Sequence, residues 1–594
     1  MYLMVGDLMF QDSYFVDKST DTFADTLLAY GLASLLNDLL FDNYTQSTIR
    51  IRDAGSAFVV ALEQPIGEGV DSADWFCDLP FIKTPSKEPP NGWLGKIVDY
   101  EREKARNAEF HKVHDPLPPA AKRPSATVDE YPELAQLEGL RPRPDWQFIA
   151  QINQMGGITA YNRVLEAWFD CRKYLPELIR IVLTLFAVTP NDVSIATRTW
   201  KSLKKEHKLR AKDTITAVQI LNPAMGKGLN RVKPAGATTS PPLDSFWLFE
   251  FLKFWGMYVA GIPRTVKPAI PGGRSPGLKV YVLHPVNLTL ETHKRVFRSF
   301  NERMWPATAI KMDILAAFRY MDAFLSQWLA GQLSDIRWDE ESGNHVSGLT
   351  AAFYKDMGNA KALLNLSEIA LPRWMTVESI EQGKHYQSVL EEHQQLVSSL
   401  KERFAEQYNL LVNYRDFLSG QSLDMFFKFC GAYSTLLMSR IAQGQWAPQF
   451  STSNLEVLIM SHDRKLKSVV ASPGFQNIAR AIRLSTVRPQ YRKARGERGP
   501  YNVRYGLGAD LLRTAAYSDR FIQALSEFMH AFNQENAQIY ERVADEKGEM
   551  PVHLRRANIT TKDIADVVCL IDEYGSQTVG NLLVAFGYAR ELRE

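Results

Sequence analysis

GFQNIARAIRLSTVRPQYRKARGERGPYNVR, residues 474–504, is the stretch that decides the fold of the C-terminal part of the chain. Phe475, Ile478 and Ile482 recur at helical spacing and predict a helix over 474–486 that buries one apolar face. Amphipathic segments joined by short links surround it, and such links indicate an antiparallel helical bundle. The other helices predicted for this bundle cover 386–411, 422–443, 453–470, 508–546 and 561–592.

The same stretch contains eight basic residues against a single acid, Glu497. Guanidinium groups bind phosphates through paired hydrogen bonds, and aromatic rings stack on bases. Because Tyr491, Tyr501 and Tyr505 lie among the arginines, we expect a nucleic-acid contact, displayed between two helices that are anchored in the core. The alternative is a solvated basic loop. The basic residues are Arg480, Arg483, Arg488, Arg492, Lys493, Arg495, Arg498 and Arg504.

The N-terminal part mixes helix and strand. A leucine-rich helix is predicted over 22–41, and alternating apolar residues over 49–62 predict a β-hairpin that turns at 53–55. The stretch LKVYVLH, 278–284, predicts a further strand, and 65–144 reads as long proline-rich loops with one helix near 94–110. The fold class is therefore α+β. We expect an N-terminal α+β domain over 1–370 and a mainly α-helical bundle over 371–594.

A second basic patch follows residue 190. The spacing of its lysines predicts one face of a helix, and a one-sided basic stripe suits a phosphate backbone. The next loop, over 224–233, combines glycines with basic residues, although the GxxxxGK[ST] pattern of a P-loop is missing. It could contact base edges or be a disordered surface loop. The candidate residues are Lys201, Lys204, Lys205, Lys208, Lys227, Asn230, Arg231 and Lys233.

Composition limits the class of protein. The chain has 594 residues, with 45% hydrophobic and 23% charged residues, which predicts a folded protein of several domains. Its net charge is only +2, so nucleic-acid binding would have to come from local patches. Four isolated cysteines fit a reducing cytoplasm, and the N-terminus lacks the basic segment of a signal peptide. The most apolar run, 245–261, contains Glu250 and Lys253 and predicts a buried helix, not a membrane span.

Two His-Asp pairs could indicate a metal-dependent HD phosphohydrolase. His114-Asp115 lies in a proline-rich segment predicted to be a loop, and His462-Asp463 lacks further residues at ligand spacing. The motifs of serine hydrolases, zinc proteases and dinucleotide-binding enzymes are missing from the sequence. We therefore expect a non-catalytic protein without metal or cofactor. Two alternatives stay open: an HD-type nuclease that uses His462-Asp463, and a scaffold whose basic patches bind acidic proteins.

The order of the parts resembles the large subunit of type I CRISPR effector complexes (Cascade), the Cas8 group, to which the Cas10-like subunit of subtype I-D is closely related. The resemblance is one of layout over most of the chain. Three segments underlie it: LLAYGLASLLNDL leading into IRIRDAGSAFVVAL, the aromatic FWLFEFLKFWGMYVAG after a basic loop, and the bundle that holds the 480–504 arginines.

The resemblance implies a cytoplasmic, non-catalytic subunit that reads the protospacer-adjacent motif in duplex DNA, aids R-loop formation and holds the displaced strand. In such complexes base pairing reads the sequence, while protein reads the short motif and the backbone. Loop 224–233 would suit motif reading, and the 480–504 arginines would suit the displaced strand. The implied partners are crRNA, target double-stranded DNA, the Cas5, Cas7 and Cas11-like subunits, and either the helicase-nuclease Cas3 or transposition proteins, with no membrane.

Overall fold

Among the described residues, the named strands lie in the first part of the chain. Helix accounts for 58% and strand for 14% of the residues that the structure describes. The named strands lie between Ser13 and Ala370, and helices build the part that follows, which confirms the predicted α+β class. The domain boundary at residue 370 stays a prediction. A computed structural model of the chain describes residues 10–42, 48–67, 77–118, 121, 127–225, 244–333, 336, 344–356, 361–372, 377, 379–420, 422–497, 499–547 and 551–591.

The described strands form two larger sheets and two short pairs. They are β1 (Ser13–Asp17), β2 (Ile49–Asp53), β3 (Ala57–Leu62), β4 (Phe81–Lys83), β5 (Ile97–Asp99), β6 (Thr214–Thr216), β7 (Asp244–Phe246), β8 (Gly261–Val266), β9 (Gly277–Pro285), β10 (Asn287–Thr289), β11 (Val346–Asp356) and β12 (Lys361–Ala370).

The described helices are α1 (Phe23–Asp42), α2 (Tyr100–His114), α3 (Glu133–Leu140), α4 (Trp146–Gln154), α5 (Ile158–Asp170), α6 (Leu175–Phe186), α7 (Val193–Glu206), α8 (Trp247–Ala260), α9 (Leu290–Arg303), α10 (Ala309–Leu329), α11 (Ile380–Ser399), α12 (Ala405–Ser419), α13 (Asp424–Ala442), α14 (Thr452–His462), α15 (Lys467–Ala471), α16 (Pro473–Ser485), α17 (Val487–Ala494), α18 (Leu507–Thr514), α19 (Ser518–Lys547), α20 (Thr561–Tyr574) and α21 (Ser576–Gly587).

The predicted hairpin is confirmed as β2 and β3. At its turn Gly55 adopts a φ of 85°, and its N–H donates to the Asp53 carboxylate over 2.8 Å. The hairpin lies within an antiparallel sheet of order β1-β3-β2-β10. The apolar residues of β2 and β3 share one core with the leucines of α1, as period-two alternation requires when one face of a sheet is buried.

The second sheet, of order β12-β11-β9-β8, separates two hydrophobic cores. Along β9, Val280 and Val282 pack into the N-terminal core, while Tyr281 and Leu283 pack into the core of the helical bundle. The predicted strand over 278–284 is thus confirmed. Because both faces of this sheet are covered, it joins the two parts of the chain through continuous packing.

Helix α8 confirms the buried helix predicted over 245–261. Its two charged residues form an internal pair in which Lys253 Nζ lies 3.0 Å from Glu250 Oε1. Asn222 completes the pair, since it donates to Glu250 over 2.9 Å and accepts from Lys253 over 2.7 Å. This satisfies the polar groups that burial would otherwise penalise. Among the helices that the structure describes, none combines the length and apolar character needed to cross a membrane.

Four helices predicted as continuous are each interrupted. The 453–470 segment divides between α14 and α15. The 386–411 segment divides into α11 and α12, because Leu400 adopts an extended backbone yet stays fully buried, so that apolar spacing continues through the break. The 561–592 segment divides at Gly575, whose φ of 82° ends α20. The 508–546 segment divides between α18 and α19. In these segments the apolar periodicity correctly predicts which residues are buried, but it does not show where one helix ends and the next begins.

Candidate nucleic-acid interface

Helix α16 anchors the basic stretch in the bundle. It begins at Pro473, which favours a first helical turn, and buries Phe475, Ile478 and Ile482 as predicted. At Thr486 the backbone leaves the helical region, and a second helix, α17, begins at Val487. The basic residues therefore do not form a plain loop between two helices, because three of the eight, Arg488, Arg492 and Lys493, lie on this short additional helix.

A cleft of about 790 Å³ opens beside α17. Its walls are α17, the link over 495–506 and a third segment, 554–556, which follows α19 in the sequence. Five cationic side chains and one carboxylate, that of Glu497, line it. The excess positive charge would attract a polyanion, and the concave shape would exclude water from it. The cationic lining residues are Arg488, Arg492, Lys493, Arg555 and Arg556.

Arg556 is a half-buried residue in the lining of the cleft. Its guanidinium carbon lies 3.2 Å from the centre of the Tyr501 ring, and Nη2 donates to the Leu484 carbonyl over 2.6 Å. Burial, together with the nearby charges of Arg492 and Arg488, lowers its pKa to about 10. The folded chain therefore holds Arg488, Arg492 and Arg556 close enough for their positive charges to repel one another. A bound phosphate would relieve that repulsion, which favours an anionic ligand.

The tyrosines have different roles from those expected. Tyr501 is buried, with its hydroxyl donating to the Leu554 carbonyl over 2.7 Å, and Tyr491 is half-buried against Ala447. Tyr505 alone of the three is exposed, at 55%, and Lys493 Nζ lies 3.3 Å from its hydroxyl. Of the three, only Tyr505 therefore offers an exposed ring on which a base could stack, while the Tyr501 ring packs against Arg556.

Glu535 of α19 fixes the link that forms one wall. Its carboxylate accepts from the Asn502 N–H over 2.8 Å and lies 3.4 Å from Arg504 Nη2. The N–H of Arg504 also donates to the Ser485 carbonyl over 2.8 Å. Arg504, predicted to contact nucleic acid, ties the link to α16 and α19 within the chain. Its charge is largely offset by Glu535.

Arg483, also predicted to contact nucleic acid, is held within the bundle. It is only 9% exposed, and its guanidinium donates to the Phe586 carbonyl over 2.8 Å and pairs with Glu591. Phe586 lies in the last turn of α21, where carbonyl groups lack helical partners and attract cations. Arg483 therefore caps a helix. Arg480 and Arg495 are exposed but do not line the cleft, and Arg498 lies outside the described residues.

Replacing Arg483 should affect stability and not binding. We expect Arg483→Ala to lower the free energy of unfolding by about 2 kcal/mol, since it removes a partly buried charged hydrogen bond and leaves a carbonyl without its donor. Nucleic-acid affinity per folded molecule should stay within about twofold, a change well under 1 kcal/mol. Urea unfolding and fluorescence anisotropy measure the two quantities. Arg480→Ala, an exposed arginine on the same helix, is the matched control and should change stability by less than about 0.5 kcal/mol.

The second basic patch is smaller than its spacing predicts. Helix α7 ends at Glu206, so Lys201, Lys204 and Lys205 lie on it, whereas Lys208 lies beyond its end at a left-handed φ of 52°. Lys204 is paired with Asp213 over 2.9 Å. The predicted continuous stripe is therefore wrong, and Lys201, Lys205 and Lys208 remain as the exposed cations of this set. The loop candidates Lys227, Asn230, Arg231 and Lys233 lie outside the described residues.

A smaller cleft of about 440 Å³ lies next to this patch. Arg163, Arg172, Arg210 and Lys212 line it together with two acids, so its positive excess is weaker. The Asp170 carboxylate already accepts the backbone N–H groups of Arg210 and Ala211. The cleft beside α17 is therefore the better candidate for a phosphate-binding site.

His462 does not have the geometry of an HD metal site. Its Nδ1 lies 3.1 Å from the Leu458 carbonyl, and its ring packs on Phe417. Burial lowers its pKa, which fits a neutral ring within the bundle. Asp463 instead accepts from the Lys465 N–H at the start of a short helical turn. Within the part of the chain that the structure describes, neither residue belongs to a group with metal-ligand geometry.

Comparison with known proteins does not identify the chain. No protein-family model matches it, and no curated protein matches it significantly.

Proposed function

We propose that this chain binds nucleic acid through the cleft beside α17 and does so without catalysing a reaction on it. The observation on which the proposal rests is the convergence of Arg488, Arg492, Lys493, Arg555 and Arg556 around one concavity that has a single acidic residue in its lining. Arginine forks match phosphate oxygens, and five of these cations in one cleft can contact successive phosphates of a strand.

A single strand suits this cleft better than a duplex. Tyr505 is exposed at the rim and offers a ring on which an unpaired base can stack, with Lys493 beside it. Stacking and phosphate contacts need no particular sequence. A duplex hides the faces of its bases, so the contribution of Tyr505 would be lost there.

The sequence resemblance supplies a context for this binding. If the chain has the role that this resemblance implies, it would be the large subunit of a cytoplasmic Cascade complex, with crRNA and target double-stranded DNA as ligands. The cleft would hold the displaced strand, while the protospacer-adjacent motif would be read elsewhere, with α7 and the 224–233 loop as candidates. The implied protein partners are Cas5, Cas7 and Cas11-like subunits and an effector, either Cas3 or transposition proteins. These assignments rest on the layout of the sequence.

Fluorescence anisotropy with the purified chain tests the binding proposal. A labelled single strand, the same sequence as a duplex and a single-stranded RNA should each be titrated between about 50 and 300 mM salt, a range over which phosphate contacts lose much of their affinity. Arg556 is already held by Tyr501 and the Leu484 carbonyl. With phosphate contacts from the other four cations, the single strand should give a slope of log affinity against log salt of about −3. Single-stranded DNA should bind more tightly than duplex.

Two outcomes would contradict this proposal. The first is the absence of binding at about 10 µM protein in low salt, where non-specific binders are normally saturated. The second is affinity that does not change with salt. In either case the ultraviolet absorbance ratio of the complex purified with its partners becomes informative, because a complex free of nucleic acid would favour the scaffold alternative.

A further inference from the structure

The end of α2 brings together three side chains that could ligate a metal. The sequence predicted that His114-Asp115 lies in a loop, but α2 continues to His114 and Asp115 caps it. His111, one turn earlier, therefore shares a helix face with this pair. One potential ligand atom from each of the three residues lies within 4.8 Å of the others. Among the described residues this is the group of histidine, cysteine and carboxylate side chains with such geometry.

The distances within this group fit tetrahedral coordination. The Nδ1 atoms of His111 and His114 each lie 3.2 Å from the same oxygen, Oδ1 of Asp115. In a tetrahedral zinc site, bonds of 2.0–2.1 Å place neighbouring ligand atoms about 3.4 Å apart. The ligand atoms of the two histidines lie within 4.8 Å of each other, so side-chain rotation would be needed to bring all three ligands to a zinc ion. Both imidazole rings direct their Nδ1 atoms toward this Asp115 oxygen.

Aromatic packing holds one of the ligands in place. The His114 ring stacks between Phe110, at 5.1 Å and 14°, and Trp305, at 5.7 Å and 5°. Trp305 belongs to the link after α9, so this stack connects α2 to a distant part of the chain. A ring fixed in this way loses little rotational freedom when it ligates a metal, which favours binding.

We propose that His111, His114 and Asp115 form a binding site for a divalent transition metal, with zinc as the best match. Two imidazole nitrogens and one carboxylate suit zinc or cobalt, whereas magnesium and calcium prefer oxygen ligands. Three protein ligands leave the fourth position to water. His111 and Asp115 are 41% and 67% exposed at their side chains, so an ion can reach the site from solvent. This site is separate from the cleft beside α17, and its test does not depend on nucleic-acid binding.

Cobalt titration of the full-length, tag-free chain tests the proposal. Cobalt should bind once per chain and produce the visible absorption of a tetrahedral ion, and zinc should displace it. His111→Ala and His114→Ala should each weaken cobalt binding at least about tenfold, since each removes one of three protein ligands. His530→Ala, an exposed histidine on α19 outside the group, is the matched control and should leave binding unchanged.

Asp115→Asn keeps the shape of the side chain and guards against variants that fail to fold. It should also weaken binding at least about tenfold, with an unchanged circular dichroism spectrum, because the amide oxygen is a poorer zinc ligand than the carboxylate. Unchanged cobalt affinity in the double variant His111→Ala, His114→Ala would overturn the proposal. So would displacement of cobalt by magnesium at equal concentration, since that would indicate a site of oxygen ligands elsewhere.

Discussion

Gly256→Ala is expected to disrupt the N-terminal core and to lower the free energy of unfolding by more than about 3 kcal/mol. A Cβ atom at this position of α8 would lie 1.8 Å from the Leu27 carbonyl oxygen of α1. Backbone cannot move aside as a flexible side chain can, so the two helices would have to separate. Gly31→Ala on α1 should have a similar effect, because its Cβ would lie 1.9 Å from the Leu252 carbonyl oxygen of α8.

The reciprocal contacts make α1 and α8 a closely packed pair at the centre of the N-terminal core. Thermal unfolding monitored by circular dichroism should show a fall in midpoint of about 4 °C or more for each variant, given the entropy of unfolding of a unit of several hundred residues. Gly139→Ala is the matched control. It lies in α3 with no heavy atom within 4 Å of the added Cβ, so it should be neutral or stabilising by up to about 1 kcal/mol. A Gly256→Ala protein with the wild-type midpoint would mean that the helices are not this close.

This pair illustrates what the sequence could and could not predict. The apolar faces of α1 and α8 are visible in their composition, and both helices were predicted. The contact between the two helices was not predicted, because Gly31 and Gly256 are far apart in the chain. Glycine within a helix by itself indicates only that the helix is less stable. The close approach of two backbones depends on both helices, and the sequence of one helix does not identify the helix that packs against it.

Only some of the cationic residues that line the cleft were predicted from the sequence, because the others come from a separate part of the chain. Arg488, Arg492 and Lys493 belong to one basic stretch, and charge density alone indicates them. Arg555 and Arg556 reach the same cleft from beyond α19, and no local pattern connects them to it. Arg483 was assigned to binding because it lies among arginines. It is buried because the adjacent end of α21 presents carbonyl groups, a feature that only the packed bundle creates.

The triple variant Arg488→Glu, Arg492→Glu, Lys493→Glu is expected to lose at least about 100-fold in affinity for single-stranded DNA, equivalent to about 2.7 kcal/mol. Each substitution removes a phosphate contact and places a negative charge beside the strand. The remaining cations, Arg555 and Arg556, would then pair with the new carboxylates. Loss of three contacts should also reduce the slope of log affinity against log salt by about 2 for a single strand. Anisotropy titrations at several salt concentrations measure both quantities.

The change in salt slope separates loss of a site from loss of net charge. Lys384→Glu, Lys401→Glu, Arg403→Glu, which alters three exposed residues on α11 and the link that follows, changes the total charge by the same amount. If DNA is attracted only by the overall charge of the chain, both triple variants should weaken binding equally. If the strand lies in the cleft, the control should keep its slope and lose less than about threefold in affinity, since distant charges are screened at these salt concentrations. Equal losses would therefore contradict the cleft as the binding site, whereas a loss confined to the first variant would assign the phosphate contacts to α17.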